Sequence, residues 1–265
     1  MQLIDQEEQV EDGSCWVKFY DEPDKRVFYK QEEGLVYGTI MTDCITDAGI
    51  CETLACYDNF EVLEELMKEF YDLKWLQRRG KANGLIWGKQ SYPWPMHHRD
   101  ITFYASGVLD FKNRGVITVS KSLEPGSSYY GTKVPMKDQK YRRLEIKQGY
   151  NYFQYLGPKK TRHISIYNTD PKIKYMPKWL LNYMMTSVSY SNILGLQQKS
   201  VLMHDEKFKH SYLMEENKAH YASILEELTT GGTQDKSAVM TKHGIEPLAE
   251  GPFTEIQEEE ISASA

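Results

Sequence analysis

Apolar and polar positions alternate from Cys15 onward. CWVKFY and RVFYKQ flank the turn-rich DEPDK and predict a hairpin. Leu35 to Ile45 (LVYGTIMTDCI) is a third β-rich run. The period then lengthens. Asp47–Tyr57 spaces Ile50, Leu54 and Ala55 as a helix does. Asp58 offers an N-cap with Glu61 three residues on, and Phe60, Leu63, Leu66, Met67 and Phe70 share one face of a second helix. From Gly84 the pattern is β again, in six runs: LIWGKQ, ITFYASGVL, VITVSKSL, YRRLEIK, NYFQYL and HISIYN. Turn signals separate them at Pro93 and Pro95, Asn113–Arg114–Gly115, Pro125–Gly126, Gly149 and Gly157–Pro158. Pro177 suits the first turn of a helix over Met176–Gln198, where Leu180, Leu181, Met184, Met185 and Val188 form one stripe. A charged helical stretch follows at 202–228, ended by Gly231–Gly232.

Three strands, then helices, then six strands and a long amphipathic helix make an α+β pattern. A curved, mainly antiparallel sheet of about nine strands, wrapped around the C-terminal helix, buries both apolar faces. The organisation expected is an acidic arm at 1–14, a folded domain at 15–200, and a charged helix with an acidic tail at 201–265.

Charge and composition narrow the function classes. The 265 residues are 40% apolar, enough for a sizeable core. The net charge of −6 is uneven: −5 over 1–14, +7 over 15–200 and −8 over 201–265. A basic body between acidic tails suits contact with an anionic surface. The N-terminus has neither a basic n-region nor an apolar h-region. Cys15, Cys44, Cys51 and Cys56 form no CxxC pair, and there is no N-x-S/T sequon; both favour a reducing, cytoplasmic setting. No phosphate-binding, dinucleotide or hydrolase motif occurs, so neither a cofactor nor a catalytic constellation is expected. His97 and His98 are adjacent and point apart on a strand, so no metal site is expected. Cys51 and Cys56 read as core thiols. Arg142–Arg143 and Lys159–Lys160 are too short a basic stripe for nucleic acid.

Three patches, in order and separated by strands, carry a resemblance. FYDLKWL (70–76), YPWPMHHRD (92–100) and MPKWLLNYMM (176–185) resemble segments of the START (steroidogenic acute regulatory protein-related lipid transfer) family, over roughly Cys15–Ser200. The resemblance implies a helix-grip fold enclosing a tunnel for one lipid, gated by the loop at 89–98 and the helix at 176–198. It makes Pro93, Trp94, Pro95 and Met96 candidates for the gate and for membrane contact. Two prolines two apart exclude regular structure and present Trp94, an indole suited to a membrane interface or to plugging the tunnel. Strand alternation puts Phe103 and Ala105 on one face with Ile101 and Gly107. Trp87, Val119, Phe153, Tyr155, Ile164 and Ile166 supply bulk for the tunnel wall, with Leu181, Met184, Met185 and Val188 on the closing helix. Arg99 and Asp100 point to opposite faces; Arg99 either anchors the strand to the loop or meets a lipid headgroup. The acid–arginine pair that the resemblance implies for sterol binders falls at Ile86 and Ala105, where neither residue type stands, so phospholipid is favoured over sterol. The function expected is binding, and transfer, of a lipid or other hydrophobic ligand without catalysis. The alternative is a structural or adaptor subunit that meets protein partners through 1–14 and 201–265.

Overall fold

The DEPDK turn pairs β1 (Trp16–Glu22) with β2 (Lys25–Gln31), and β2 pairs onward with β3 (Gly38–Thr46). The structure is a computed structural model and describes residues 16–137 and 140–230; the arm at 1–14 and the tail beyond 230 lie outside the described residues. Helices α1 (Ile50–Asp58) and α2 (Phe60–Leu66) follow. Then come β4 (Phe70–Arg79), β5 (Asn83–Gln90), β6 (Arg99–Asp110) and β7 (Gly115–Ser122). A small hairpin, β8 (Ser128–Tyr129) and β9 (Thr132–Lys133), precedes the long strands β10 (Arg142–Gly157) and β11 (Lys160–Asp170).

Nine strands form one antiparallel sheet in the order β1-β2-β3-β11-β10-β7-β6-β5-β4. The start of β10 also runs briefly parallel to β6, Arg142 opposite Arg99 and Arg143 opposite Asp100. The closing helix comprises α3 (Lys178–Tyr183), a π-helical turn at Met184–Ser189, and α4 (Tyr190–Leu202). Its buried stripe of Leu180, Met185, Ile193 and Leu196 lies against the sheet and α1. Each such side chain contributes about 1.5–3 kcal/mol on burial. This is the expected helix-grip arrangement of about nine strands around a C-terminal helix.

The nine strands are not the nine that the pattern suggests. Phe70, expected on the face of the second helix, lies beyond its end. Met67 leaves helical geometry at φ −106, ψ 78, and Phe70 pairs with Gln90 as the first residue of β4. Two register shifts in β4, with Asp72 at φ 56, break its alternation, which is why it reads as helix. Conversely, YRRLEIK and NYFQYL are one strand. Gly149 is not a turn. A Cβ there would stand 2.5 Å from the Tyr167 ring, so glycine is needed for the two strands to cross closely. The expected N-cap also moves by one: Asn59 Oδ1 accepts from the Val62 N–H at 3.1 Å, and Asp58 ends α1 instead.

The charged stretch beyond 202 forms α5 (Tyr212–Glu216) and α6 (Lys218–Thr230). Leu213, Tyr221, Ile224 and Leu228 join the same core as Ile50, Leu54 and Phe153. The core of the described residues therefore extends as far as Leu228.

Candidate functional site

Between the concave face of the sheet and the closing helix lies a cavity of about 340 Å³, within the usual range of small-molecule sites, about 300–1,000 Å³. Strand alternation builds its floor: Phe103 and Ala105 from β6, Thr118 and Ser120 from β7, Ser165 and Tyr167 from β11. The closing helix roofs it with Leu181, Met184, Met185 and Val188. Here the helix is π-wound, and the Ser189 hydroxyl donates back to the Met184 carbonyl at 3.0 Å. A π turn adds a residue to the turn, and such turns recur at functional sites. Helix α6 contributes His220 and Ile224 to the wall.

Of the residues singled out from sequence, eight lie on this wall: Ile101, Phe103, Ala105, Gly107, Leu181, Met184, Met185 and Val188. Trp87, Val119, Ile164 and Ile166 are out of phase with it. Their strand neighbours Ile86, Thr118, Ser120 and Ser165 face the cavity instead. The charges in phase with them carried the signal: Lys89 follows Trp87, Lys121 follows Val119, and Arg162 precedes Ile164. Lys89 Nζ sits 5.5 Å from the Trp87 ring centre on the outer face. Phe153 is buried but lies beneath the rings of Tyr57 and His163, at 5.2 and 4.7 Å. Tyr155 packs at the core edge under the Arg114 guanidinium.

Pro93, Trp94, Pro95 and Met96 do not touch the cavity. Trp94 is 90% exposed, and Met96 packs on a small second cluster with Ile101 and Leu144. Within 89–98, the residues on the wall are Gln90, which ends β5, and Tyr92. Arg99 is 1% exposed and so cannot meet a headgroup at the surface. Its Nε donates to the Pro171 carbonyl at 2.8 Å, another guanidinium N–H donates to the His97 carbonyl, and it stacks over the Tyr92 ring. Beside it, Arg143 Nε donates to Asp100 Oδ2 at 2.8 Å and its terminal nitrogens to the carbonyls of Pro135 and Met136. These two arginines gather three loops at one end of the cavity.

Sequence reasoning missed the polar groups inside. Asp58, read as a cap, turns into the cavity and accepts a hydrogen bond from the Tyr221 hydroxyl of α6 at 3.1 Å. Burial pushes its pKa up to about 6, against the Tyr221 bond, which lowers it. Glu69 accepts from Asn192 Nδ2 of α4 at 2.7 Å, and burial raises its pKa also. Gln90 lines the same wall with Oε1 buried and without a partner among the described residues. By contrast the floor network is satisfied: His163 Nε2 meets Asn151 Oδ1 at 3.2 Å, and Asn151 Nδ2 donates to the Tyr167 hydroxyl at 2.9 Å. Burial lowers the His163 pKa to about 3, so its ring is neutral. Cys44, Cys51 and Cys56 are buried, and burial pushes their thiols up to about 12, far from a reactive thiolate. No described helix is long and apolar enough to cross a membrane.

No protein-family model matches the sequence, and a search of curated proteins finds no match. Solved structures match it. Human STARD10 aligns at TM-score 0.61 and 15% identity, over 82% of this chain and 82% of that one. Human StAR-related lipid transfer protein 5 aligns at TM-score 0.59 and 11% identity, over 72% of this chain and 88% of that one. A STAR-related lipid transfer protein from Xanthomonas axonopodis aligns at TM-score 0.56 and 12% identity, over 70% of this chain and 98% of that one. The chain has the START-like helix-grip fold.

Proposed function

We propose that this protein binds one hydrophobic ligand, a lipid, in the cavity between sheet and closing helix, and carries it without chemical change. The observation that supports this most directly is the cavity itself: a hollow of about 340 Å³, mostly apolar, in a fold shared with proteins named for lipid transfer. Apolar burial of the ligand, at about 25 cal/mol per Å², supplies the affinity. Entry and exit run past the loop at 89–98 and the helix at 176–198. Tyr92 and Met176 hold the closed position, since they form part of the wall. Trp94, Tyr175 and Trp179 are exposed on these segments, with the exposed Lys174 and Lys178 beside them. That mixture of aromatic rings and positive charge suits brief contact with an anionic membrane surface.

A preference for phospholipid over sterol, expected from the sequence, has weaker support. Ile86 and Ala105 are on the wall and apolar, which argues against the acid–arginine pair. Yet no arginine lines the described cavity to receive a phosphate. The test is transfer of a fluorescent lipid between donor and acceptor vesicles. Catalysed transfer, saturating in protein, supports the proposal. A rate equal to the protein-free blank contradicts it.

A further inference from the structure

An antiparallel sheet that packs one face on a core commonly leaves the other to water, with polar side chains. The convex face of this sheet, turned away from the cavity, carries an apolar row instead. Phe28, Met41, Ile166, Tyr150 and Val119 stand opposite one another in register across β2, β3, β11, β10 and β7. Ile164, Tyr152 and Ile117 form a second row beside it. None of these side chains is buried, whereas Val27, Tyr29 and Phe153 on the concave side are. Tyr150, Ile166 and the second row line a shallow depression. An exposed apolar patch rimmed by polar groups marks a contact surface. We propose that the acidic segment 245–261 of this same chain lies across it. Ile245, Leu248, Phe253 and Ile256 would meet the apolar rows, and the glutamates between them the lysines of the adjoining turns.

The path of the chain favours this occupant. Arg114 sits in the β6–β7 turn, three residues before Ile117 of the second row. Its Nε donates to the Leu228 carbonyl at 3.1 Å. Helix α6 therefore ends, at Thr230, beside the convex rows, and the chain continues from there to Ala265. The stretch from Thr230 to Ile245 can reach as far as about 50 Å. The first row crosses four strand spacings, about 20 Å.

Charge favours the same occupant. The β6–β7 and β10–β11 turns carry Lys112, Lys159 and Lys160, all exposed and without an ion pair among the described residues. The acids beside the second row are already engaged, Asp43 by Arg26 and Arg162, and Asp110 by Asn113. The segment 245–261 holds six glutamates and neither lysine nor arginine. A second copy docking through the same face would bring the same lysines to it, and like charges in an interface are costly. A segment tethered to its own surface is present at an effective concentration on the order of millimolar, so weak contacts suffice.

The test is photocrosslinking of the full chain with p-benzoylphenylalanine in place of Tyr150, which is 40% exposed. The exposed Lys121 takes the probe should that variant fail to fold. Equal parts of unlabelled and isotope-labelled protein are mixed before irradiation, and crosslinked peptides are identified by mass spectrometry. Crosslinks to 245–261 within one chain are expected. Their yield should fall about fivefold or more when Glu255→Lys, Glu258→Lys, Glu259→Lys and Glu260→Lys are combined. The same probe at the exposed Trp94 should give at most about a tenth of the yield. Crosslinks that join labelled to unlabelled chains overturn the assignment and make the face a contact between copies. No crosslink to 245–261, a yield equal to that at Trp94, or a yield that the four lysines leave unchanged overturns it as well.

Discussion

Arg99 Nε donates to the carbonyl of Pro171 across 2.8 Å, tying the first residue of β6 to the segment that leads into the closing helix. A second N–H of the same guanidinium holds the His97 carbonyl, at the end of the 89–98 loop. One buried side chain thus ties the 89–98 loop to the segment that precedes the closing helix. Arg143, paired with Asp100 on the next residue of β6, extends the hub to the Pro135–Met136 loop. A buried carbonyl left without its donor is costly.

Arg99→Ala should destabilise the fold by about 2–4 kcal/mol, because the buried Pro171 carbonyl and the part-buried His97 carbonyl lose their donor and the Tyr92 ring loses its stacking partner. Arg99→Lys should recover less than half of that, since an ammonium lacks the planar fork. Urea melts measure the loss, and amide exchange should rise selectively at 91–98 and 171–177.

Ala105→Phe should fill the hollow beside Phe103 rather than overpack a dense core. Stability should hold or rise, and lipid uptake should fall by roughly tenfold or more. Melting temperature and vesicle uptake, measured on the same preparation, separate this from simple misfolding.

Much of this site was legible, and the misreadings have physical causes. The α+β order, the closing helix and the inward face of β6 follow from periodicity, since Phe103 and Ala105 alternate against Tyr104 and the helix stripe repeats cleanly. The β5, β7 and β11 faces were misassigned by favouring bulk over phase. Trp87 is large, but Lys89 two residues on marks its side as solvated. β4 was hidden because two register shifts break its alternation. Asp58, Glu69 and Gln90 left no local signal: their roles come from Tyr221 and Asn192, more than a hundred residues away in the chain, and from a hollow that only the assembled sheet creates.

Asp58 predicts a specific pH dependence. Its folded pKa of about 6 lies above the unfolded value, which is about 3.9. Its contribution is therefore full below about pH 4 and is lost as pH rises through about 6. The loss is on the order of 3 kcal/mol. His163 runs the other way: its folded pKa of about 3 lies below the unfolded value, so its contribution is present above about pH 6.5 and is lost as pH falls. The two partly cancel in the native protein. The difference between native and Asp58→Asn isolates the carboxyl. Relative to native, Asp58→Asn should gain stability between about pH 4 and pH 8, and urea midpoints across that range measure it.

Trp94→Ala should leave stability within about 0.5 kcal/mol, because the indole is 90% exposed. Association with anionic vesicles should fall several-fold, read by sedimentation. An unchanged association would place membrane contact elsewhere on the surface.

The central claim is that the hollow under the closing helix holds a hydrophobic ligand. Lipid extraction and native mass spectrometry of the purified protein test it most directly. One lipid per chain, lost in Ala105→Phe, is the result predicted. Apo protein throughout, with no uptake from vesicles, would contradict it.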